Sequence, residues 1–361
     1  MAGVLAPVRL AIVGCGNIVG PYARHLRASA GAKLVAVADL DPARAQQFAA
    51  EHECLAYPTL DALLADDSIE LVVNLTVQHA HAAVSAACLR AGKHVYSEKP
   101  LAMTYEEASH LLGLARERGL RLGASPFMFL GPSQQTAWKC IRDGRLGSVR
   151  LVYAEANWGR LETWHPAPLS FYEAGALFDV GVYPLALVTA IFGPARRVSA
   201  YGTVLLPERV TSDGGCFQVS VPDVVVAVLE MAGGAVVRLT ASFYVGQHSK
   251  QSGIEFHGDL GSLRLANWHS FRAPLEFAEY GGQYNAVPFL SQPPAETPWG
   301  FGVLEMVDAL ATGRPHRASA EHAAHVVEIL CATTDSLRRN QPVAIRSDFA
   351  LPAPTEWALS P

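Results

Sequence analysis

The sequence is poor in cysteine, in charge and in long apolar runs, and each shortage closes a class of protein. Its six cysteines, Cys15, Cys54, Cys88, Cys140, Cys216 and Cys331, stand far apart and form no C-x-x-C pair. That spacing argues against a zinc site or a disulfide framework and suits reduced thiols in a cytosol. Charged residues make up 17% of the chain, and a net charge of −5 gives no electrostatic reason to expect nucleic acid or an anionic membrane surface as a partner. No apolar stretch is read as approaching the ~20 residues that span a bilayer. The N-terminal "MAGVLAPVRLAIVGCG" has no basic region ahead of its short apolar run, so no secretory leader is expected. The expected setting is the cytoplasm. Internal repeats and low-complexity tracts are missing too.

Hydrophobic residues, by contrast, fill half of the 361 positions. That is ample for a large core, and the length exceeds what one core usually serves, so two domains are expected. From Val8 to about Gly123 short β-branched runs ("VRLAIVG", "KLVAVAD", "IELVVNLT", "KHVYSE", "LRLGAS") alternate with helix-like stretches at 21–30, 42–51, 79–91 and 105–118. Thr104 reads as an N-cap with Glu107 at the capping-box position. Strands that are apolar throughout, separated by helices, indicate a parallel sheet covered on both faces.

The first run leads into "GCGNIVG", Gly14 to Gly20. Glycines between a strand and a helix permit a tight turn and the close approach of a pyrophosphate, which the helix N-terminus attracts. The loop departs from G-x-G-x-x-G, since Val19 holds the third glycine position and Gly20 comes one residue late. The second run ends at Asp39, roughly 20 positions beyond the glycines, where a carboxylate can accept hydrogen bonds from an adenosine ribose. Asp41, directly before Pro42, is assigned to the helix cap. A carboxylate at Asp39 repels a 2′-phosphate, and Arg44 is the only cation nearby, which favours NAD over NADP.

Together "GCGNIVG", Asp39, "AGKHVYSEKPLA" and the later "GALFDVGVYPLALVTAIFG" resemble the Gfo/Idh/MocA oxidoreductases over nearly the whole chain, from Val8 to about Pro342. The E-K-P segment at Glu98-Lys99-Pro100 is the most specific single mark. The resemblance implies an N-terminal Rossmann domain (1–125) with a parallel sheet. It implies a C-terminal domain (126–361) whose large open, mostly antiparallel sheet carries the substrate pocket and an oligomer interface. It also implies that Lys99 lies beside the nicotinamide and that the Lys99–Pro100 bond is cis. The cofactor-binding set expected on this basis is Gly14, Gly16, Asn17, Ile18, Asp39, Asn74, Leu75, Thr76, His81, Glu98 and Lys99. His79 and His81 tempt a metal reading, but two residues apart they do not face one another, and no acidic or cysteine cluster joins them. No metal is expected, and His81 is placed beside the cofactor loop instead.

Beyond Ser125 the pattern turns to long alternating runs, at 149–158, 197–206, 224–231, 235–243 and 254–258, which read as a mostly antiparallel sheet. A helix at 177–192 interrupts it. The Gly- and Pro-rich stretch 280–299 reads as a long loop, and two late helices, 302–312 and 320–340, follow, the last expected to pack back on the first domain. Within "FDVGVYPL", Asp179 and Tyr183 are four apart and share a helix face, matching the family's D-x-G-x-Y variant. Gly181 between them, costly in a helix, suggests close approach on that face.

Oxidation of a carbinol by hydride transfer leaves a proton, and tyrosine with its ordinary pKa near ~10 is a poor base at neutral pH. A nearby lysine cation favours the phenolate. Tyr183 is therefore assigned as acid/base, Lys99 as its electrostatic partner and Asp179 as an orienting acceptor. Lys99 as the proton carrier remains a second option. Trp158, Arg160, Trp164, His165 and Tyr172 are candidate pocket residues, with aromatic faces for a sugar ring and polar edges for hydroxyls. The expected activity is reversible oxidation of a secondary alcohol on a sugar, inositol or sugar derivative. A trans-dihydrodiol dehydrogenase is the alternative enzyme, and a non-catalytic NAD-sensing regulator the alternative from another class. A homodimer or homotetramer through the C-terminal sheet is expected, since "VVVAVLEM" and "AVVRLTASF" carry more apolar side chains than one packed face requires.

Overall fold

Burial on both faces dictates the first sheet. Strands β1 (Val8–Val13), β2 (Ala32–Ala38), β3 (Leu55–Tyr57), β4 (Leu71–Asn74), β5 (His94–Ser97) and β6 (Leu122–Ala124) are apolar along almost their whole length. They pair in parallel in the order β3-β2-β1-β4-β5-β6. In this computed structural model, which describes residues 6–359, helices connect the strands at Val19–Arg27, Pro42–His52, Leu60–Leu64, His81–Arg90 and Tyr105–Arg118. The first five residues, where the reading without a leader begins, lie outside the described residues. The local start signals act as expected. Asp41 accepts from Ala43 N–H and Arg44 N–H at 3.0 and 3.3 Å. Thr104 and Glu107 form a reciprocal capping box. The edge strand β3 and the short helix after it were not anticipated.

The chain clusters into two compact units. The first comprises the residues up to Phe127 together with Thr297–Val327; the second comprises Met128–Glu296 and the chain from Glu328 onward. The expected division at 125/126 placed everything after it in the second domain, whereas 297–327 packs with the first unit. The reason lies in a close contact. Helix Phe301–Thr312 brings Gly302 so near to β5 that a Cβ there would stand 2.0 Å from the Tyr96 hydroxyl. Ser319 then bridges to Gly123 of β6. Helix Ala320–Arg339, expected to pack on the first domain as a whole, is shared between the units. Its C-terminal part serves the second, where Ser336 Oγ accepts from Ala200 N–H at 3.0 Å.

The second unit is built on a nine-stranded sheet. In chain order its strands and their neighbours are β7 (Val149–Asn157), β8 (Ala195–Thr203), a separate two-stranded pair β9 (Glu208–Val210) and β10 (Cys216–Gln218), then β11 (Val224–Met231), β12 (Val236–Ser242), β13 (Gly253–Gly258), β14 (Gly261–Leu265), β15 (Leu275–Glu279), β16 (Asn285–Ala286) and β17 (Val343–Ala344). The order is β16-β15-β14-β13-β7-β12-β11-β8-β17, antiparallel except for β7 against β12. Alternation decides the faces: Val225, Ala227 and Leu229 of β11 and Val237, Leu239 and Ala241 of β12 are buried, and the residues between them are not.

The helical stretch Leu169–Phe192 lies on the buried face. By length and composition it is apolar enough to cross a membrane, contrary to the reading of the sequence. It is mostly buried within the unit because it is a core helix packed on β12. It is also not the plain helix expected at 177–192. Gly175, at φ +80°, breaks it, a π turn runs over Leu177–Gly181, and regular helix resumes at Val182–Phe192. Gly181 packs on the sheet: a Cβ there would make ordinary contacts with Ala241 Cβ at 3.5 Å and Leu239 at 3.7 Å, and a tighter one with Leu177 Cδ1 at 3.3 Å.

Candidate functional site

In the first unit the candidate residues gather at the carboxyl ends of β1, β2, β4 and β5, where the strand order reverses and ligands of open parallel sheets bind. Gly14 has φ +97°, and a Cβ on it would sit 2.6 Å from the Leu75 carbonyl oxygen, so only glycine lets β1 leave the sheet flush against β4. Gly16 and Gly20 have nothing within 4 Å of a Cβ position, which leaves the backbone open to a ligand. Helix Val19–Arg27 starts at Ile18 without a side-chain cap and without an acidic residue in its first turn. Its first N–H groups suit an anion such as a pyrophosphate.

Asp39 holds the neighbouring strand end to this loop, one oxygen accepting Cys15 N–H at 2.6 Å and the other Asp41 N–H at 2.8 Å. Each carboxylate oxygen keeps a further lone pair for a hydroxyl. Arg44 stands 3.8 Å from Asp39 and 3.7 Å from Asp41. Burial, reinforced by Asp39, pushes the Cys15 thiol up to about 12, so it stays protonated and unreactive.

Asn74, His81 and Glu98 form a framework beneath these residues. Asn74 Nδ2 donates to the His81 carbonyl and to Ser85 Oγ, each at 3.0 Å, and its oxygen accepts from the Thr76 hydroxyl at 2.7 Å. The His81 ring nitrogens face the Pro100 and Thr76 carbonyls at 2.7 and 3.0 Å. Burial holds this imidazole below its ordinary pKa. Glu98 accepts from the Tyr22 hydroxyl at 2.5 Å, from Ser125 Oγ at 3.1 Å and from Lys99 N–H at 2.9 Å. Burial, with the Glu98 carboxylate next, keeps Tyr22 protonated. These three side chains fix the turns that carry Thr76 and Lys99. The Lys99–Pro100 bond is cis, as is Ser125–Pro126.

In the second unit Asp179 is buried on the π turn, and Tyr183 is half-buried one turn further along. The Tyr183 ring lies 5.0 Å from that of Trp268, Trp268 lies 5.5 Å from Trp158, and Trp158 lies 6.2 Å from Trp164. Trp164 continues to His165 at 5.5 Å and His165 to Phe171 at 4.7 Å. Three of the five candidate pocket residues thus share one aromatic chain with Tyr183. Trp268 and His269, in "ANWHSF" just past β14, complete it and were missed. A Trp-His pair set in small polar residues at a strand end was the signal available. Burial lowers His269 to about 4, so its imidazole is neutral at pH 7.

Arg160 and Tyr172 lie elsewhere. Arg160 stacks over Tyr244, 5.5 Å from the ring centre. Tyr172, expected to line the pocket, is buried in a charged network. Its hydroxyl donates to Glu162 and accepts from Arg209 Nη1 at 3.1 Å. Arg209 also donates to Glu162 at 2.9 Å, to Asp223 and to the Leu206 carbonyl at 2.8 Å. With its hydroxyl so engaged, Tyr172 holds the 161–172 excursion in place and is corrected from pocket lining to scaffold. Among the described residues no group of three or more His, Cys, Asp or Glu is arranged to hold a metal ion.

A parallel sheet in this order, with a glycine loop, an acidic residue closing β2 and uncapped helix N–H groups, defines a dinucleotide-binding fold. Residues 8–125 match the family model described as "Oxidoreductase family, NAD-binding Rossmann fold", and residues 134–264 match "GFO/IDH/MocA C-terminal domain". The chain is 30% identical over 276 residues to dTDP-3,4-didehydro-2,6-dideoxy-alpha-D-glucose 3-reductase of Saccharopolyspora spinosa, covering 75% of this chain and 77% of that one. It is 29% identical over 239 residues to trans-1,2-dihydrobenzene-1,2-diol dehydrogenase of Sus scrofa, covering 65% and 68%. Its fold matches an NAD binding oxidoreductase from Klebsiella pneumoniae with a TM-score of 0.84, at 21% identity over 95% of this chain and 100% of that one. The chain belongs to the Gfo/Idh/MocA family of NAD(P)-binding oxidoreductases.

Proposed function

We propose that this enzyme reversibly oxidises a secondary alcohol on the ring of a sugar, cyclic polyol or sugar derivative, using NAD in preference to NADP. The observation that carries the reading is Tyr183: a half-buried phenol in an aromatic chain, next to the turn bearing Asp179. Aromatic faces with polar edges suit the C–H surface and hydroxyls of a sugar ring. The two relatives agree in kind, one being named for a ring diol and the other for a dTDP-sugar.

The cofactor contacts fall to Gly14, Gly16, Asn17, Ile18, Asp39, the 74–76 strand end and Lys99, with His81 and Glu98 acting through the turns they hold. Asp39 disfavours a 2′-phosphate. When bound, the nicotinamide supplies the acceptor for the carbinol hydride. The chain manages the remaining proton. Tyr183 takes it from the hydroxyl as the C–O bond becomes a carbonyl, Lys99 favours the phenolate and donates a hydrogen bond to the substrate oxygen, and Asp179 accepts from a neighbouring hydroxyl. The same groups run in reverse for reduction.

Tyr183→Phe keeps the ring and its stacking, so cofactor affinity should hold while turnover falls by ~10²–10⁴. Lys99→Ala should lose a similar factor, and the double variant little more than the worse single one. Near-full activity in Tyr183→Phe would move the proton to Lys99 or water. Failure of a panel of sugars, inositols and dihydrodiols to give NADH, alongside tight NADH binding, would return the regulator reading.

We further infer a homodimer, alone or paired into a tetramer, through the open face of the nine-stranded sheet. Tyr201 and Val226 are directly opposed on β8 and β11, and Tyr201 and Val228 remain 68% and 43% exposed. A strictly monomeric mass by light scattering at micromolar concentration would overturn this. Six cysteines that stand far apart in the chain, with no C-x-x-C pair, support a cytoplasmic setting.

A further inference from the structure

The second unit holds a cavity of about 210 Å³ beside the aromatic chain, its wall including Asn157 and Trp158 at the end of β7, Ser249 and Ser252 before β13, and Trp268 and His269 after β14. That volume holds several waters and is on the scale of one hydroxylated six-membered ring. Two polar atoms on this wall are buried without a hydrogen-bond partner, Asn157 Oδ1 and His269 Nδ1. Asn157 is 4% exposed, and its amide is oriented because Nδ2 donates to the Gln251 carbonyl at 2.7 Å. The oxygen is left as an unmet acceptor. A buried polar group in that state costs free energy unless a ligand or water meets it.

The chemistry of the wall selects the ligand. Arg264 is its charged residue, and that charge is already matched by Glu276 at 2.9 Å and Glu255 at 3.8 Å. His269 is neutral at pH 7. An anionic phosphate or carboxylate therefore finds no spare cation. What remains is a predominantly polar wall of amide, hydroxyl and imidazole groups, bordered by two indoles, which suits the hydroxyls of a sugar ring. Trp268 links the cavity to the chemistry, since it forms part of this wall and lies 5.0 Å from the Tyr183 ring.

We propose that this cavity is a subsite for a second sugar ring, so that the substrate is a disaccharide or other glycoside whose adjoining ring reacts at Tyr183. The proposal rests on the reading of Tyr183 as the group that acts on the substrate ring, and deepens it. Asn157 accepts from a hydroxyl of the non-reacting ring, Trp158 and Trp268 border it, and the serines complete its hydrogen bonds.

The test compares cellobiose, maltose and lactose with the methyl glycosides of their single rings, on the full chain with NAD. The parent should show a kcat/KM at least ~10-fold higher for one of the disaccharides, the scale of two or three hydrogen bonds to a second ring. Asn157→Ala should remove most of that preference by raising KM. Ser252→Phe, at a half-exposed loop position, should do the same by filling the cavity, and it guards against a misfolded Asn157→Ala. Equal kcat/KM for one-ring and two-ring sugars in the parent, or a preference untouched by both variants, overturns the proposal. Tryptophan fluorescence titration without cofactor separates it from the reading it rests on. Disaccharide binding weakened about tenfold in both variants, with no NADH formed from any sugar, upholds the subsite and refutes the activity. No saturable quenching by any disaccharide refutes the subsite whatever the activity.

Discussion

Replacing Arg209 by methionine tests whether the buried network around Tyr172 holds the second unit together. The side chain is 0% exposed and donates to Glu162, Tyr172, Asp223 and the Leu206 carbonyl. Methionine fills much of the space but leaves two carboxylates, also buried, without their cation. Breaking a buried ion pair from one side costs about 3–5 kcal/mol. The carboxylates keep other partners here: Asp223 accepts Leu205 N–H at 2.7 Å, and Glu162 accepts from Tyr172. A value of ~4 kcal/mol is therefore expected. In a unit of roughly 200 residues, at ~2–4 °C per kcal/mol, that lowers the melting temperature by about 8–16 °C. Differential scanning calorimetry reads this directly. Adding Glu162→Gln and Asp223→Asn to the same variant should restore a good part of the loss by removing the stranded charges. A melting temperature within ~2 °C of the parent for Arg209→Met alone would refute the argument, because a network that can lose its only cation without effect is not buried as described.

Gly14→Ala places a Cβ 2.6 Å from the Leu75 carbonyl oxygen at φ +97°, so NADH affinity measured by fluorescence should fall at least ~10-fold, and an unchanged Kd would remove the glycine from the cofactor cradle. Acid should destabilise the protein well above the carboxylate range. Burial holds His269 at about 4 and His322 at about 3 in the folded chain, whereas both bind protons near pH 6.5 once unfolded. The unfolded state therefore takes up protons first, and stability falls as pH drops from 6.5 towards 4, by on the order of 3 kcal/mol from His269 alone. Chemical denaturation at pH 7 and pH 4.5 should show that loss, and His269→Gln should lessen it; equal midpoints would contradict it.

The parts of this molecule legible in its sequence are those governed by neighbours in the chain. The glycine loop follows a strand and opens a helix within seven residues, and Thr104 and Glu107 cap their own helix. Alternation in β11 and β12 reports a one-sided sheet because period two is a local property. What escaped depends on partners far away. Trp268 meets Tyr183 only through the register of β13, β14 and β7, which no local pattern specifies. Tyr172 reads equally well as a ligand contact or a scaffold residue until Arg209, 37 positions on, is brought beside it. The π turn hides within an apolar run whose composition suits any helix. The helix Phe301–Thr312 likewise carries an apolar face but no sign of which unit it covers.

Glu98 has a consequence for anyone who would re-engineer the cofactor preference. Through Tyr22 and the Lys99 N–H it braces the helix that follows the glycine loop against the turn that carries Lys99. Asp39, on which the proposed NAD preference rests, and its neighbour Arg44 make no contact with that brace; their bonds run to Cys15, Asp41 and each other. The 39–44 segment reaches the glycine loop through Cys15 and not through Glu98. Libraries confined to positions 39–44 can be searched for NADP use without cutting that brace, while a single conservative change at Tyr22 would disturb the glycine-loop helix and the Lys99 turn at once.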